Sequence, residues 1–423
     1  MKYLINGITH PLKVNRWAKI IRTNALENNP GDMVYAYAVM NALAVNPNVD
    51  FDMTGYYRFA GFEDQKIDEI NETYTAFVIP LADIFSHYWA AKVLPRYTEL
   101  VNKLSIPCVV PCVGARDGDT TSEDDTIVRR FVDAVLDKSA IVGVRGESTA
   151  RYLSRLGYRD GRHFEVVGCP SMFMYGQTLP QLNKPRLDSI RNVAYGLNKR
   201  CSDELNEFIY RSANVFESSM CVFQYHGEFY DGFINHRKSF AQYMSPCYAH
   251  ICRQIYQSGM GIFPLNRKPW FEYLRTVDLQ FGARIHGVML GILAGTPSVL
   301  FPFERRTMEL AEYHGLPIVD PSRIRSGSNL CDFYEDIDFS RLQKSQDENF
   351  RRFKKFFAKN GIAVKFGHQM LESRLPSEYP DDFIKPIDAC PWTERLTRLM
   401  TRFVHRAEVK AKSFKGKRWG MGI

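Results

Sequence analysis

Short apolar runs alternate with longer runs of helical spacing through the first 170 or so residues. The alternation then stops, and it restarts at residue 192. In the first stretch the strand-like pieces are residues 3–7, TAFVIP (75–80), IPCVVPCV (106–113), AIVGV (140–144) and 164–167. Between them, helical spacing runs through residues 33–43, 88–104, 124–136 and 148–156, and Asp32 stands as an N-cap for the first of these. Strands separated by helices need crossover connections, so this pattern argues for parallel sheet built of βαβ units. Residues 175–191 lack periodicity, carry two prolines and read as a linker. Beyond them, NVAYGL (192–197), MCVFQY (220–225), 261–265, 278–281, 299–303 and 318–319 are strand-like, while 202–213, 240–258 and 270–276 are helical. After residue 342 only helical spacing remains, at 343–359 and 392–412, with Phe350, Phe353, Phe356 and Phe357 placed to dock against a core. The expectation is an α/β chain in three parts: an N-terminal domain (1–180), a C-terminal domain (190–342) and a helical extension (343–423).

Bulk properties fit that division. At 423 residues the chain exceeds the usual reach of a single core. With 45% hydrophobic and 24% charged residues it is ordinary for a globular protein, which excludes disorder throughout. The net charge of +8 is unevenly placed, because residues 401–423 hold seven lysines and arginines against one glutamate. A basic end that also carries Phe414 and Trp419 fits peripheral contact with an anionic membrane surface, and it equally fits a solvated tail. Nine cysteines without a CxxC pair point to a reducing, cytoplasmic setting and to neither a disulfide framework nor a zinc site. The first residues lack the continuous apolar core of a signal peptide. The longest uncharged run, 287–303, is short for a bilayer. The expected location is the cytoplasm, with the inner membrane face as a peripheral station.

Chemistry concentrates in FGARIHGVMLGILAGTPSVL (281–300) and the FPFERRTMELAEYHGLPIVD that follows it. Arg284 and His286 stand two residues apart at the opening of an apolar helix rich in small residues. A cation and an imidazole there, together with free backbone N–H groups and the positive end of the helix dipole, make a site for a small anion beside a proton donor.

The same block resembles the C-terminal signature of the polysaccharide pyruvyl transferase family. Arg284, His286 and Gly287 match its Arg-x-His-Gly element, Gly295 and Pro297 its Gly-x-Pro, and Glu304, Arg306, Glu309, Leu310, Leu316 and Pro317 the strand, turn and helix that follow. Upstream, Asn29, Gly31 and Asp32 are similar to its Asn-x-Gly-Asp turn. Arg145 with Ser148 is similar to an arginine-bearing strand end, and VVGCPS (166–171) to the next strand and turn. The resemblance covers roughly residues 24–320. The chain departs from it at Glu304, where many relatives have aspartate, and in a longer extension after residue 342.

The resemblance implies two Rossmann-like domains facing a cleft, a GT-B-like arrangement. It also implies transfer of pyruvate from phosphoenolpyruvate to a sugar of a polysaccharide or lipid-linked glycan, as a ketal. Phosphoenolpyruvate is a substrate here, and no cofactor or metal is implied. Arginine suits its carboxylate and phosphate, because the planar guanidinium binds oxyanions at two points. Arg284 and Arg145 would bracket the donor, with Arg306, Asn198 and Gly287 offering further contacts through side chain or backbone amide. His286 would be general acid, general base or both. Asp32 or Glu304 would orient it or take a proton from the acceptor. His226 and Glu228, in QYHGEF, would line the acceptor side or form an ordinary loop. Two rivals remain: a nucleotide-sugar glycosyltransferase gripping ribose through Glu309 or Glu312, and, more remotely, a non-catalytic protein binding nucleic acid through its basic tail, a partner that is not expected.

Overall fold

The computed structural model describes residues 1–7, 9–23, 29–55, 64–115, 120–234, 244–367, 370–379 and 383–401. The basic segment 402–423, with Phe414 and Trp419, lies outside them, as do residues 240–243 of one expected helix.

Strands β1 (Lys2–Asn6), β2 (Asp50–Thr54), β3 (Ala76–Val78) and β4 (Cys108–Val109) form a parallel sheet in the order β2-β1-β3-β4. A parallel bridge between Val113 and Val144 carries this sheet on to β5 (Val142–Val144), which pairs with β6 (Phe164–Val166). The second sheet has the order β11-β10-β7-β8-β9-β12, from β7 (Asn192–Gly196), β8 (Ser218–Val222), β9 (Gly261–Pro264), β10 (Leu279–Gly282), β11 (Ser298–Leu300) and β12 (Phe383–Ile384). All its pairs are parallel except β12 with β9. The strands are short and apolar because helices cover both faces of each sheet.

Two helices are buried nearly all round. In Asp32–Leu43 every residue after Asp32 is buried, and in Ile285–Ala294 every residue before Ala294 is. An apolar stripe on a single face would suit a surface helix; apolarity on all faces requires a place between layers. Both helices belong to the one hydrophobic cluster that draws residues from both sheets. The second helix approaches its sheet closely through glycine: a Cβ at Gly291 would stand 2.3 Å from Ser298 Oγ.

The extension is not wholly helical. The Arg341–Lys359 helix packs on the N-terminal domain, where Gln346 donates to Met172 O and Gly176 O, both at 2.8 Å. The chain then crosses to the C-terminal domain and adds β12 as an antiparallel edge, before a last helical run through 392–401. On the way Glu372 accepts from Tyr37 Oη at 2.7 Å and from the fully buried Arg267 at 2.8 Å. The strand at 383–384 escapes sequence reading because two residues carry no periodicity. β2 escapes as well, because DFDMT places acids among its apolar residues and pairs only at the sheet edge.

Phe353 is 1% exposed and stacks on Phe173 with ring centroids 4.6 Å apart. Phe353→Ala should destabilise the protein by about 3–5 kcal/mol through the cavity it leaves. Chemical denaturation of the full chain measures this.

Candidate active site

The chain runs from β1 to β2 on one side and then to β3 on the other, so its direction reverses between β1 and β3. In the second sheet β7 has β8 on one side and β10 on the other, which places the corresponding reversal between β7 and β10. Ligands of open α/β sheets bind at such switch points, outside the carboxyl ends of the strands. Here both switch points open on one cavity of about 300 Å³. Asn6 ends β1, and the loop 80–84 follows β3. Across from them, Asn198–Arg200 follow β7, and Arg284 with His286 follow β10. Arg145 follows β5, Tyr225 follows β8 and Arg306 follows β11.

Five basic side chains line this cavity among the described residues: Arg145, Lys199, Arg200, Arg284 and Arg306. Asp32 and Asp83 are the two carboxylates on its wall. Arg145 is 3% exposed, and its Nε and Nη2 have no hydrogen-bond partner among the described residues. Its Nη1 lies 3.6 Å from Asp83 Oδ1, and its guanidinium sits 5.6 Å from the ring centroid of Tyr35. Arg306, from the other domain, pairs with the same Asp83 and with Glu304. Arg284 donates through Nε to Leu197 O at 2.9 Å and through Nη2 to Glu228 Oε1 at 3.1 Å.

His286 is 7% exposed on the first turn of its helix. Its Nε2 lies 3.9 Å from Cys169 Sγ. The opposite edge packs on Gly31, where a Cβ would come within 2.5 Å of Nδ1. Burial first, then the positive charges of Arg145 and Arg306, push its pKa down to about 3, with Asp83 opposing. The imidazole is therefore neutral at ordinary pH.

Several expected residues serve in other ways. Gly31 is the N-cap and Asp32 the first helical residue, since Asn29 Oδ1 closes the turn by accepting from Gly31 N at 2.9 Å. Asp32 still lines the cavity. Glu304 caps the Arg305–His314 helix and bridges Arg306 to Arg200, 3.1 Å from Arg200 Nη2. It stands behind the arginines and off the cavity wall. Asn198 lines the cavity, but no helix begins there: the following helix starts at Asp203, with Ser202 as its cap. Gly287 turns its Cα toward Gln224 and Gln280, so it makes room for packing and is not part of the lining. Glu228 is fully buried and committed to Arg284, Tyr248 and the amides of Gln224 and Tyr225. It supports a cation and leaves no carboxylate for an acceptor. His226 packs on Tyr230 at 4.6 Å between ring centroids, outside the cavity, with its pKa lowered to about 4 by burial and Lys199.

Sequence reasoning missed Asp83, Tyr35, Trp89, Lys199, Arg200 and Tyr225 as cavity residues. Most sit just past a strand end, and that position relative to β3, β7 and β8 was the available signal. All nine cysteines are free thiols. No group of three His, Cys, Asp or Glu among the described residues could hold a metal ion, and no described helix is long and apolar enough to cross a membrane.

Two parallel α/β domains facing one cationic cavity define a GT-B-like protein. The family model described as polysaccharide pyruvyl transferase matches residues 29–304, and the chain belongs to that family. It is a transferase family, and the match spans the helix starting at Asp32, Arg145 and the Arg284–His286 element. No match was found among curated proteins. Among solved structures the chain is similar to the Staphylococcus aureus MnaA–UDP co-structure at 13% identity and a TM-score of 0.41, covering 90% of this chain and 99% of that one. It is also similar to the Methanocaldococcus jannaschii UDP-GlcNAc 2-epimerase in complex with UDP-GlcNAc and UDP, at 12% identity and a TM-score of 0.41, covering 84% and 100%. At these values the likeness carries nothing about substrate.

Gly31 has φ −59°, which alanine adopts freely. A methyl there would meet His286 Nδ1, Cβ and Cγ at 2.5–2.8 Å, so the imidazole must move. Gly31→Ala should lower transferase activity about 10²-fold through misplacement, while melting much closer to wild type than Phe353→Ala does. Loss of fold in place of loss of activity would remove Gly31 as the residue that seats His286.

Proposed function

We propose that the protein transfers the pyruvyl group of phosphoenolpyruvate to two hydroxyls of one sugar in a polysaccharide or lipid-linked glycan, forming a cyclic ketal and releasing phosphate. The observation that carries this reading is the convergence of Arg145, Arg284, Arg306 and His286, from two domains, on one cavity. Phosphoenolpyruvate presents a carboxylate and a phosphate a few bonds apart, and oxyanions at that spacing need more than one fork-shaped cation. The unpartnered Nε and Nη2 of Arg145 are donors ready for such an anion.

The reaction has to protonate C3 of the enol phosphate, turning its CH₂ into the methyl group and leaving an oxocarbenium-like C2. A sugar hydroxyl attacks C2 and gives up its proton. The C2–O bond to phosphate breaks, and phosphate departs with the bonding pair. A second hydroxyl closes the ring, and its proton leaves with phosphate. His286 supplies the first proton, and Asp32, on the same cavity wall, takes that of the attacking hydroxyl. His286 becomes a competent acid when the donor arrives, because burial and then the field of Arg145 and Arg306 lower its pKa to about 3, and the anion offsets that field. No step calls for a metal ion.

A nucleotide-sugar donor fits less well. Glu309, the expected ribose grip, accepts instead from the Ser148 amide at the start of the Glu147–Arg155 helix. Glu312 lines a separate surface cleft.

Mass spectrometry of hexosides incubated with phosphoenolpyruvate and protein tests the reading. A product heavier by one pyruvyl ketal supports it, and transfer from a nucleotide sugar in its place refutes it. His286→Gln should retain phosphoenolpyruvate binding by calorimetry while turnover falls about 10²–10⁴-fold. Because His286 must be protonated to act, wild-type kcat should fall as pH rises through its pKa in the donor complex. That alkaline limb should be missing from the Gln variant. Normal turnover in His286→Gln would end its role as the acid.

A further inference from the structure

Five large apolar side chains are exposed among the described residues, and three of them stand on the helical run 392–401. Trp392 is 71% exposed, Leu396 44% and Met400 59%. Their spacing of four residues sets them in one stripe along the helix. Apolar residues exposed singly need no explanation, whereas a stripe of them marks a surface that meets something.

Polar residues of the same helix fix it to the protein. Arg398, 2% exposed, donates through Nη1 to Phe233 O at 3.1 Å and to Lys385 O at 2.7 Å, and it pairs with Glu394. Arg395 donates through Nε to Cys390 O at 2.7 Å. The helix is thus held by its arginines and turns its apolar stripe outward, the reverse of a surface helix packed on a core.

The sequence that follows says which partner this face fits. Residues 401–423 carry seven lysines and arginines against one glutamate, with Phe414 and Trp419 among them. An apolar helix face followed by cations suits an anionic bilayer surface: apolar side chains enter the boundary between headgroups and acyl chains, and the cations stay with the phosphates. Tryptophan favours that boundary. A second copy of this chain fits less well, because pairing through the helix would bring two strongly basic segments together.

We propose that the helix 392–401 is a membrane-docking surface, with Trp392, Leu396 and Met400 entering an anionic phospholipid surface and the basic segment after them adding attraction. The segment by itself equally fits a solvated tail; the exposed stripe is what selects the bilayer. Attraction between exposed charges is screened beyond about 10 Å at ordinary salt, so the apolar face has to supply the hold at close range. The docking does not depend on the donor chemistry proposed above.

The test is cosedimentation of the full chain with vesicles of phosphatidylcholine, either pure or mixed with phosphatidylglycerol. The wild type should bind the mixed vesicles in preference, and less as salt rises. Trp392→Ser, Leu396→Ser and Met400→Ser combined should lower the partition coefficient at least about tenfold. Its melting temperature should stay near wild type, because the three side chains are exposed. A triple variant that binds mixed vesicles as the wild type does overturns the docking face and leaves the tail as the contact. Equal binding of the wild type to both kinds of vesicle overturns the anionic partner. A wild type that ignores vesicles overturns the proposal outright; a dimer seen by light scattering and lost in the triple variant would then make the stripe a contact between copies of this chain. If the triple variant does not fold, Trp392→Ser and Leu396→Ser singly carry the same comparison.

Discussion

Buried like charge is the constraint on which the rest of the structure depends. Arg145 and Arg306 are brought together from two domains, and Arg284 lines the same cavity; placing guanidinium groups side by side in a poorly solvated site is unfavourable unless carboxylates offset them. Each arginine has such a partner, and each partner is fixed by something else. Asp83 stands between Arg145 and Arg306. Glu228 holds Arg284 while two backbone amides and Tyr248 hold Glu228. Glu304 holds Arg306 while capping the helix that starts at Arg305. The supporting carboxylates take up part of the arginines' donor capacity and leave the rest turned inward, as at Arg145 Nε and Nη2. The desolvation of these guanidinium groups is thus met during folding.

The same charges govern His286. Burial first, and then Arg145 and Arg306, lower its pKa, with Asp83 opposing. Gly31 and Cys169 bracket the ring on opposite edges, so the group that titrates is also one that cannot turn away. Turn and helix are thus coupled across the domain boundary, and Gly31 is defined by the space His286 needs, not by a left-handed backbone.

Much of this was legible in the sequence. The strand–helix rhythm locates most of the sheet, because buried parallel strands read as short apolar runs. Arg284 and His286 stand out because two polar groups open an otherwise apolar helix. The rest was hidden for physical reasons. Asp83 and Lys199 sit where loops leave strands, and there periodicity gives way to irregular backbone. Glu304 was expected near the chemistry and Glu228 on the acceptor side or in a plain loop; that Arg284 pairs with Glu228 and Arg200 with Glu304 was hidden, because these arginines are distant from them in sequence. Asp32 reads as a cap because aspartate favours that position, yet Asn29 closes the turn and moves the cap to Gly31. β12 has no local signal, and its existence depends on the open edge of β9.

That edge strand bears on how the cavity keeps its shape. The extension leaves the C-terminal domain, lays Phe350, Phe353, Phe356 and Phe357 on the N-terminal one, and returns to complete the second sheet. Between these two anchors Glu372 accepts from Tyr37 in one domain and Arg267 in the other, with the Arg267 guanidinium 3.7 Å from the Tyr37 ring centroid. The buried helices Asp32–Leu43 and Ile285–Ala294 meet in the same cluster. Opening the cleft would have to break an ion pair with a fully buried arginine and separate packed apolar surface, and both are costly. Substrate entry is therefore expected to rely on the loops around the cavity more than on domain hinging.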